Sequence, residues 1–322
     1  MTIRAIAAVI LLSCVAASVH AQASYPERPV RLVVSYAPGN VTDVLARLVA
    51  EGLAAKWKQP LVVDNRPGQG GSLGAQVVAK APGDGYTLLF SAMAAFGINP
   101  HVYPNVGYDA KKDFAPIVGV AIPDGVLVAN VNLAAGSLAD LVQLSKTTPG
   151  GLYYGSAGSG TVPHLNMEAL KARTGLIATH VPYKGVVAAN TDLIGGRIHL
   201  QQDALSPVLP QIRAGKMRAV MVMSSRRLAQ LPEVPTIGEL LPGFEPVRPW
   251  LGILAPAGTP RAVIDKIHRD VDELLRQPAL IERMQAIGLN ALAAPPAEFA
   301  RMVAGEYDRL GELVRTLKIK VD

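Results

Sequence analysis

Three short apolar runs, Arg31-Leu-Val-Val-Ser35, Leu61-Val-Val-Asp64 and Tyr86-Thr-Leu-Leu-Phe90, are separated by two longer stretches of helical period. This alternation limits the possible folds more than any other feature of the chain. The runs read as strands bounded by turn signals. Between the first two, Thr42 to Trp57 places Leu45, Leu48, Val49 and Leu53 on one side of a helix; between the next two, Ser72 to Lys80 reads as a second helix. The order βαβαβ predicts a parallel sheet with helices on its faces.

The middle of the chain repeats the theme. Gly125 to Asn130, Leu152 to Tyr154 and Ala178 to Val181 read as strands, with helices over Ser137 to Lys146, His164 to Thr174 and Val186 to Ile194; Ile198 to Gln202 and Ala219 to Met223 are extended. Two similar α/β halves are implied. After Pro242-Gly243 come one strand, Trp250 to Leu254, a helix opened by Thr259-Pro260 that runs to about Arg276, and two more helices. A mostly helical tail has no sheet of its own and is expected to return to the first half. The chain then crosses between halves near residues 115–124 and 240–250, which makes a hinge. The expected division is 24–121 with 244–322 as one lobe and 122–243 as the other.

The N-terminus, MTIRAIAAVILLSCVAASVHAQA, has one positive charge at Arg4, an apolar stretch from Ala5 to Val19 and small residues at Ala21 and Ala23. It reads as an export signal over 1–23, cleaved near Ala21 or Ala23, which places the mature protein in the periplasm. The single cysteine, Cys14, lies inside it, so the mature chain has neither disulfides nor thiolate chemistry. Leu11-Leu-Ser-Cys14 also loosely resembles a lipobox, against which the downstream cleavage sites argue. Without residues 1–23 the 31 Lys and Arg fall to 30 against 25 Asp and Glu, a net charge of +5. The excess is scattered and lacks aromatic interleaving, so a nucleic-acid groove is excluded and an anionic small molecule remains compatible.

Ligands of α/β sheets sit beyond the carboxyl ends of strands, where helix N-termini favour anions. The corner Ser35-Tyr-Ala-Pro-Gly-Asn-Val-Thr-Asp43 has that layout: Gly39 permits close backbone approach, Asn40 can cap and Thr42 offers a hydroxyl. An ordinary turn, with Asn40 capping and Asp43 at the third helical position, explains the same residues. A second corner, Tyr153-Tyr-Gly-Ser-Ala-Gly-Ser-Gly-Thr-Val-Pro-His164, concentrates glycines and hydroxyls into an anion nest, or is a flexible loop capped by Thr161. A third, Arg66-Pro-Gly-Gln-Gly-Gly-Ser-Leu-Gly74, reads as tight helix-on-strand packing. Asp203, after the strand Ile198 to Gln202, binds a ligand donor or caps the turn at Pro207.

Leu73 stands where G-x-G-x-x-G would need its third glycine, no P-loop occurs, and Ala157 interrupts G-x-S-x-G, so no nucleotide cofactor and no nucleophile elbow is expected. His164 and Glu168 lie four apart on a helix without a third ligand in reach, and the other histidines are dispersed; no metal is expected.

Six stretches in order, Tyr36-Ala-Pro-Gly-Asn-Val-Thr-Asp43, Asp64-Asn-Arg-Pro-Gly-Gln-Gly-Gly71, Gly155 to Thr161 with His164-Leu165, His180-Val-Pro-Tyr-Lys-Gly185, Asp192-Leu-Ile-Gly-Gly196 and Trp250-Leu-Gly252 with Ala255-Pro-Ala-Gly-Thr-Pro260, are similar to the Bug (Bordetella uptake gene) family. These are the extracytoplasmic solute receptors of tripartite tricarboxylate transporters. The resemblance runs from about Tyr25 to the C-terminus. It implies a two-lobed α/β periplasmic binding protein of type II, each lobe a mostly parallel sheet flanked by helices, that closes as a monomer on a small organic acid and delivers it to a two-component membrane permease. It is not an enzyme on this reading. Tyr36, Gly39, Asn40 and Thr42 would form one wall, with Ser91 nearby; Gly158, Ser159, Gly160 and Thr161 the other; and Asp203 would receive an amino or hydroxyl group. One departure stands out: Asn40 replaces the second of two adjacent glycines; asparagine tolerates a left-handed backbone better than most residues, and its side chain would enter the pocket and alter ligand choice. The alternatives are a secreted α/β hydrolase or isomerase acting on a carboxylate, and a sensor component that presents its ligand to a membrane kinase.

Overall fold

The structure, a computed structural model, describes residues 25–317 and 319; the expected export signal and Cys14 lie outside the described residues. The strands are β1 (Val30–Val34), β2 (Leu61–Asn65), β3 (Thr87–Ala92), β4 (Phe114–Pro123), β5 (Gly125–Asn130), β6 (Leu152–Ser156), β7 (Ala178–Pro182), β8 (Leu200–Ala204), β9 (Met217–Val222), β10 (Leu251–Pro256) and β11 (Leu289–Ala294). They form two sheets, ordered β11-β4-β10-β3-β1-β2 and β7-β6-β8-β5-β9.

Each sheet is mixed rather than mostly parallel. β2, β1 and β3 run parallel in the first, as do β7, β6 and β8 in the second. The remaining strands join antiparallel: β10 lies between β3 and β4, β11 beside β4, and β5 between β8 and β9. The parallel part of each sheet is built by the βαβ units; the antiparallel part is built by chain that crosses or returns. β10 thus carries the C-terminal region back into the middle of the first sheet. β4 ends at Pro123 and β5 starts at Gly125 in the other sheet, so Asp124 alone makes the first crossing. The second crossing lies between β9 and β10.

Helix α1 (Val41–Trp57) follows β1 and buries Leu45, Val49 and Leu53 against the sheet. Asn40 caps it, with its Oδ1 accepting from Thr42 N–H at 2.9 Å. At its far end Trp57 Nε1–H donates to buried Asp270 at 2.7 Å on α10 (Arg261–Leu275), and Lys56 and Lys266 pair with the same carboxylate at 3.0 and 2.7 Å. After β2 a short 3₁₀ turn, Gln69–Gly71, leads into α2 (Ser72–Ala79). After β3 come two single turns, α3 (Ala94–Gly97) and α4 (Asn99–Val102). In the second half the helices are α5 (Leu138–Thr147), α6 (Val162–Thr174), α7 (Val186–Ile194), α8 (Leu205–Arg213) and α9 (Ile237–Leu240); α11 (Pro278–Ala286) and α12 (Pro296–Thr316) close the first. Two apolar clusters fill the second lobe, and two fill the first. Both of the latter reach across: Val162 and Leu165 of α6 belong to the same cluster as Phe96, Trp250 and Phe299, and Ala204 of β8 to the other.

Candidate functional site

The carboxyl ends of β1, β3, β6 and β8 meet at a cleft between the sheets, whose volume with its mouth is about 650 Å³. Both crossing segments contribute to it, through Asp124 and through Val247, Arg248 and Pro249. This is where helix N-termini and strand ends bring backbone donors together.

Of the residues singled out from the sequence, Tyr36, Asn40, Thr42, Thr161 and Asp203 line this cleft. Asn40 uses its Oδ1 as the cap of α1, which leaves its Nδ2 uncommitted, and Thr42 lines the cleft beside it. The backbone of Asn40 is extended (φ −69°, ψ 153°), not left-handed, so the replacement of a second glycine requires no strained conformation. Gly39 is the left-handed residue, at φ +81°. Its N–H is already taken by Asp43 Oδ2 at 2.9 Å, and it does not line the cleft; it shapes the corner. Asp43 braces the corner further, accepting from Arg47 Nε at 3.1 Å and Asn65 Nδ2 at 2.8 Å. Burial alone would raise its pKa, but these bonds outweigh it and hold the carboxylate below its ordinary value. The Tyr36 hydroxyl donates to the Gly70 carbonyl at 2.9 Å, and burial pushes this phenol up, so it stays neutral. Ser91 faces Ser35, Oγ to Oγ 2.8 Å, inside the sheet and off the cleft.

On the opposite wall the loop Gly158 to Thr161 is spent largely on itself and on the first lobe. Thr161 Oγ1 donates to the Gly158 carbonyl at 2.8 Å, and Gly160 N–H donates to His164 Nδ1 at 3.3 Å. The Ser159 carbonyl accepts from Tyr103 of the first lobe at 2.9 Å. Gly160 sits at φ +74°, and a Cβ there would stand 2.6 Å from Asn99 Oδ1, also of the first lobe. Gly158, Ser159 and Gly160 do not line the cleft; Ser159 and Gly160 meet the first lobe, Gly158 bonds within its own loop, and Ala157, Thr161 and the first turn of α6 face the cavity. Pro163, the second residue of that helix, has no N–H, which leaves the amides of Val162 and His164 in the turn.

Asp203 is enclosed at the end of β8. Its carboxylate accepts from Ala204 N–H at 2.7 Å and Gln201 Nε2 at 3.3 Å. Burial nevertheless pushes its pKa up to about 6. β8 passes directly into α8 at Leu205, so the chain after Asp203 is helical rather than a turn at Pro207.

Four polar or charged cleft residues went unnoticed in the sequence: Asp124, Asn166, Gln202 and Arg248. Asn166 clamps the second crossing, donating to the Val247 carbonyl at 3.0 Å and accepting its N–H at 2.8 Å. Asp124 is fixed by both lobes: its N–H donates to Gly288 O at 2.7 Å, its carbonyl accepts from Leu205 N–H at 2.8 Å, and its Oδ2 accepts from Asn290 Nδ2 at 3.0 Å. A lone charged residue between two apolar runs, Ile122-Pro-Asp-Gly-Val126, was the available signal.

The second lobe also holds a serine and a histidine in contact, Ser156 Oγ to His180 Nε2 at 2.7 Å. Ser156 donates its own hydrogen to the Gly158 carbonyl at 3.0 Å, so the imidazole must donate to it. The serine is fully buried and off the cleft, which makes it a tie within the loop and not a nucleophile. Glu168 bonds Lys171 at 2.7 Å rather than His164, and no group of three or more possible metal ligands occurs among the described residues. His164 and His180 stack with centroids 4.0 Å apart, and burial lowers their pKa values to about 4 and about 3, so both are neutral.

Two α/β lobes joined by two crossings, with helix N-termini facing each other over a cleft at the hinge, define a two-lobed solute-binding protein. The family model of the tripartite tricarboxylate transporter family receptor matches residues 45–319. BugT of Bordetella pertussis is 35% identical over 300 residues, covering 92% of each chain. Among solved structures, R. palustris Rpa4515 with adipate superposes with a TM-score of 0.88 at 35% identity, covering 92% of this chain and 99% of that one. The periplasmic binding protein BugD superposes at 0.87 with 33% identity, covering 92% and 99%. The chain belongs to the tripartite tricarboxylate transporter receptor family, and its structural relative BugD is a periplasmic binding protein.

Proposed function

We propose that this chain is exported to the periplasm, loses residues 1–23, and captures a small carboxylate between lobes 24–121 with 244–322 and 122–243, for delivery to a two-component membrane permease. The observation that carries this reading is the pair of donor-bearing helix starts across one cleft: Asn40 and Thr42 at α1, and Thr161 with the first turn of α6. Adipate in the relative at 35% identity supports an organic acid as the solute. A charge-assisted hydrogen bond contributes about 1.5 to 3 kcal/mol and a helix end up to about 2 kcal/mol. Two facing corners therefore reach the roughly 8 kcal/mol of micromolar binding after association costs. A solute that touches both walls stabilises only the closed form, which is the form a permease can distinguish.

A thermal-shift panel of mono-, di- and tricarboxylates, amino acids and aromatic acids on the mature protein tests the reading. At least one acid is expected to raise the melting temperature, and at about 100 times its Kd ligand adds about 2.7 kcal/mol. Thr42→Val removes a cleft donor without an internal partner and is expected to abolish or strongly reduce that shift. A panel without any response, or turnover of a substrate, would refute the proposal. Co-purification with a membrane kinase in place of a permease would favour the sensor role.

A further inference from the structure

The part of the cleft nearest the hinge presents hydrogen-bond acceptors that have nothing to accept. Asp124 is 5% exposed and Gln202 4%, both residues line the cleft, and neither Asp124 Oδ1 nor Gln202 Oε1 has a partner. The amide of Gln202 is oriented by its Nε2, which donates to the Asp203 carbonyl at 3.3 Å; that carbonyl can only accept, so Oε1 is the atom left over. Asp203 stands next in the chain with its carboxyl in the same cavity. Buried polar atoms are normally satisfied, and an orphan at a binding cleft points to the group that completes it.

The charges facing this end decide what that group is. Asp124 and Asp203 line the cavity, against Arg248 exposed on the second crossing; Arg226, outside the cleft, bonds to Asn290 behind Asp124. An acid without a donor of its own would bring a further negative charge toward two carboxyl groups and leave the orphan oxygens unpaired. A protonated amine supplies the missing hydrogens as charge-assisted bonds to these acceptors.

Resting on the carboxylate reading of the cleft, we propose that the solute is an amino-substituted acid whose ammonium group sits against Asp124 and Gln202, making Asp124 a specificity-determining residue.

The test is isothermal titration of the mature protein with matched triads on one carbon skeleton: succinate, malate and aspartate; glutarate, 2-hydroxyglutarate and glutamate; propionate, lactate and alanine. In the best-binding triad the amino acid is expected to bind at least about tenfold more tightly than the unsubstituted acid. In Asp124→Asn the amide presents N–H where the carboxylate oxygen stood, and the preference is expected to vanish or invert. Gln202→Met provides a second variant that loses an acceptor without touching the hinge backbone, and is expected to narrow the preference. Binding of no member of any triad overturns the carboxylate reading and this inference with it. Equal or tighter binding of the unsubstituted or hydroxy acid, or an unchanged preference in both variants, overturns this inference alone.

Discussion

Replacing Asp203 by asparagine is expected to make the ligand-free protein more stable at neutral pH. The carboxyl is enclosed, and burial, the dominant cause, lifts its pKa from 3.8 to about 6 despite the bonds from Ala204 and Gln201. The folded chain therefore holds this proton more tightly than the unfolded chain. Below roughly pH 4 both states carry it and nothing is lost; above roughly pH 6 both are ionised and the folded state bears the full cost of the buried charge. Two pKa units at about 1.4 kcal/mol each make that cost about 3 kcal/mol. Asparagine keeps an acceptor for Ala204 N–H and has no charge to bury. The variant is thus expected to exceed the native protein by up to about 3 kcal/mol near pH 7.5, with the gap closing through pH 6 and gone near pH 4. His164 titrates in the same range with the opposite sign. Its pKa is lowered to about 4, so its contribution is present at neutral pH and lost as pH falls from 6.5 toward 4. That loss is common to both proteins and cancels in their difference, although it flattens the native profile. Urea unfolding of both proteins without ligand, across roughly pH 4.5 to 8, measures the gap. A gap that does not change with pH, or a variant that is the less stable at pH 7.5, would refute the reasoning.

Gly160→Ala places a Cβ 2.6 Å from Asn99 Oδ1 in the other lobe, at a backbone angle of φ +74°; solute affinity is expected to fall at least about tenfold, and small-angle scattering with saturating solute is expected to show a more open particle than the native one. Asp270→Ala removes the acceptor of Trp57 Nε1–H and the partner of Lys56 and Lys266; unfolding is expected to become easier by about 3 kcal/mol or more, with solute affinity unchanged because the cluster is remote from the cleft. Thr42→Val is expected to weaken binding about 10- to 100-fold in titration calorimetry, with the unfolding midpoint of the empty protein unmoved.

The βαβ parts of both lobes were legible because their strands are short apolar runs between strong helical periods, and β1, α1, β2, α2 and β3 fall within two residues of the expected bounds. β4 was not: Pro116 and Gly119 break its pattern, its pairing with β10 shifts register, and it read as part of a crossing. β11 is half alanine, with Ala293 at φ 50°, and gives neither period. Both are held by neighbours rather than by local preference. The same division runs through the site. Corner residues such as Asn40 and Thr42 could be read because a helix start has a local chemical signature. The neighbours of Ser159 and Gly160, however, include Tyr103 and Asn99, which only the approach of one lobe to the other brings near. Asp124 escaped for a related reason: its value lies in standing where two sheets meet.

That position bears on how closure is controlled. The lobes already touch through protein contacts: Tyr103 with Ser159, and Val162 and Leu165 in one apolar cluster with Phe96 and Trp250. Such contacts favour closure whether or not a solute is present. Against them stand Asp124 and Gln202, each with a buried oxygen left unpaired, and the desolvated carboxyl of Asp203. An unsatisfied buried polar group costs about 1 to 3 kcal/mol, so closing on an empty cleft carries a penalty comparable in size to the gain. A solute that supplies donors to those oxygens removes the penalty only when the lobes are shut. It then needs to contribute no more than the difference to shift the balance, since a population moves by differential affinity and not by tightness alone. On the inference drawn above, the hinge-side acceptors would couple recognition to motion: the hydrogen bonds that select the ligand would also add to the stability of the closed form only when the solute is present.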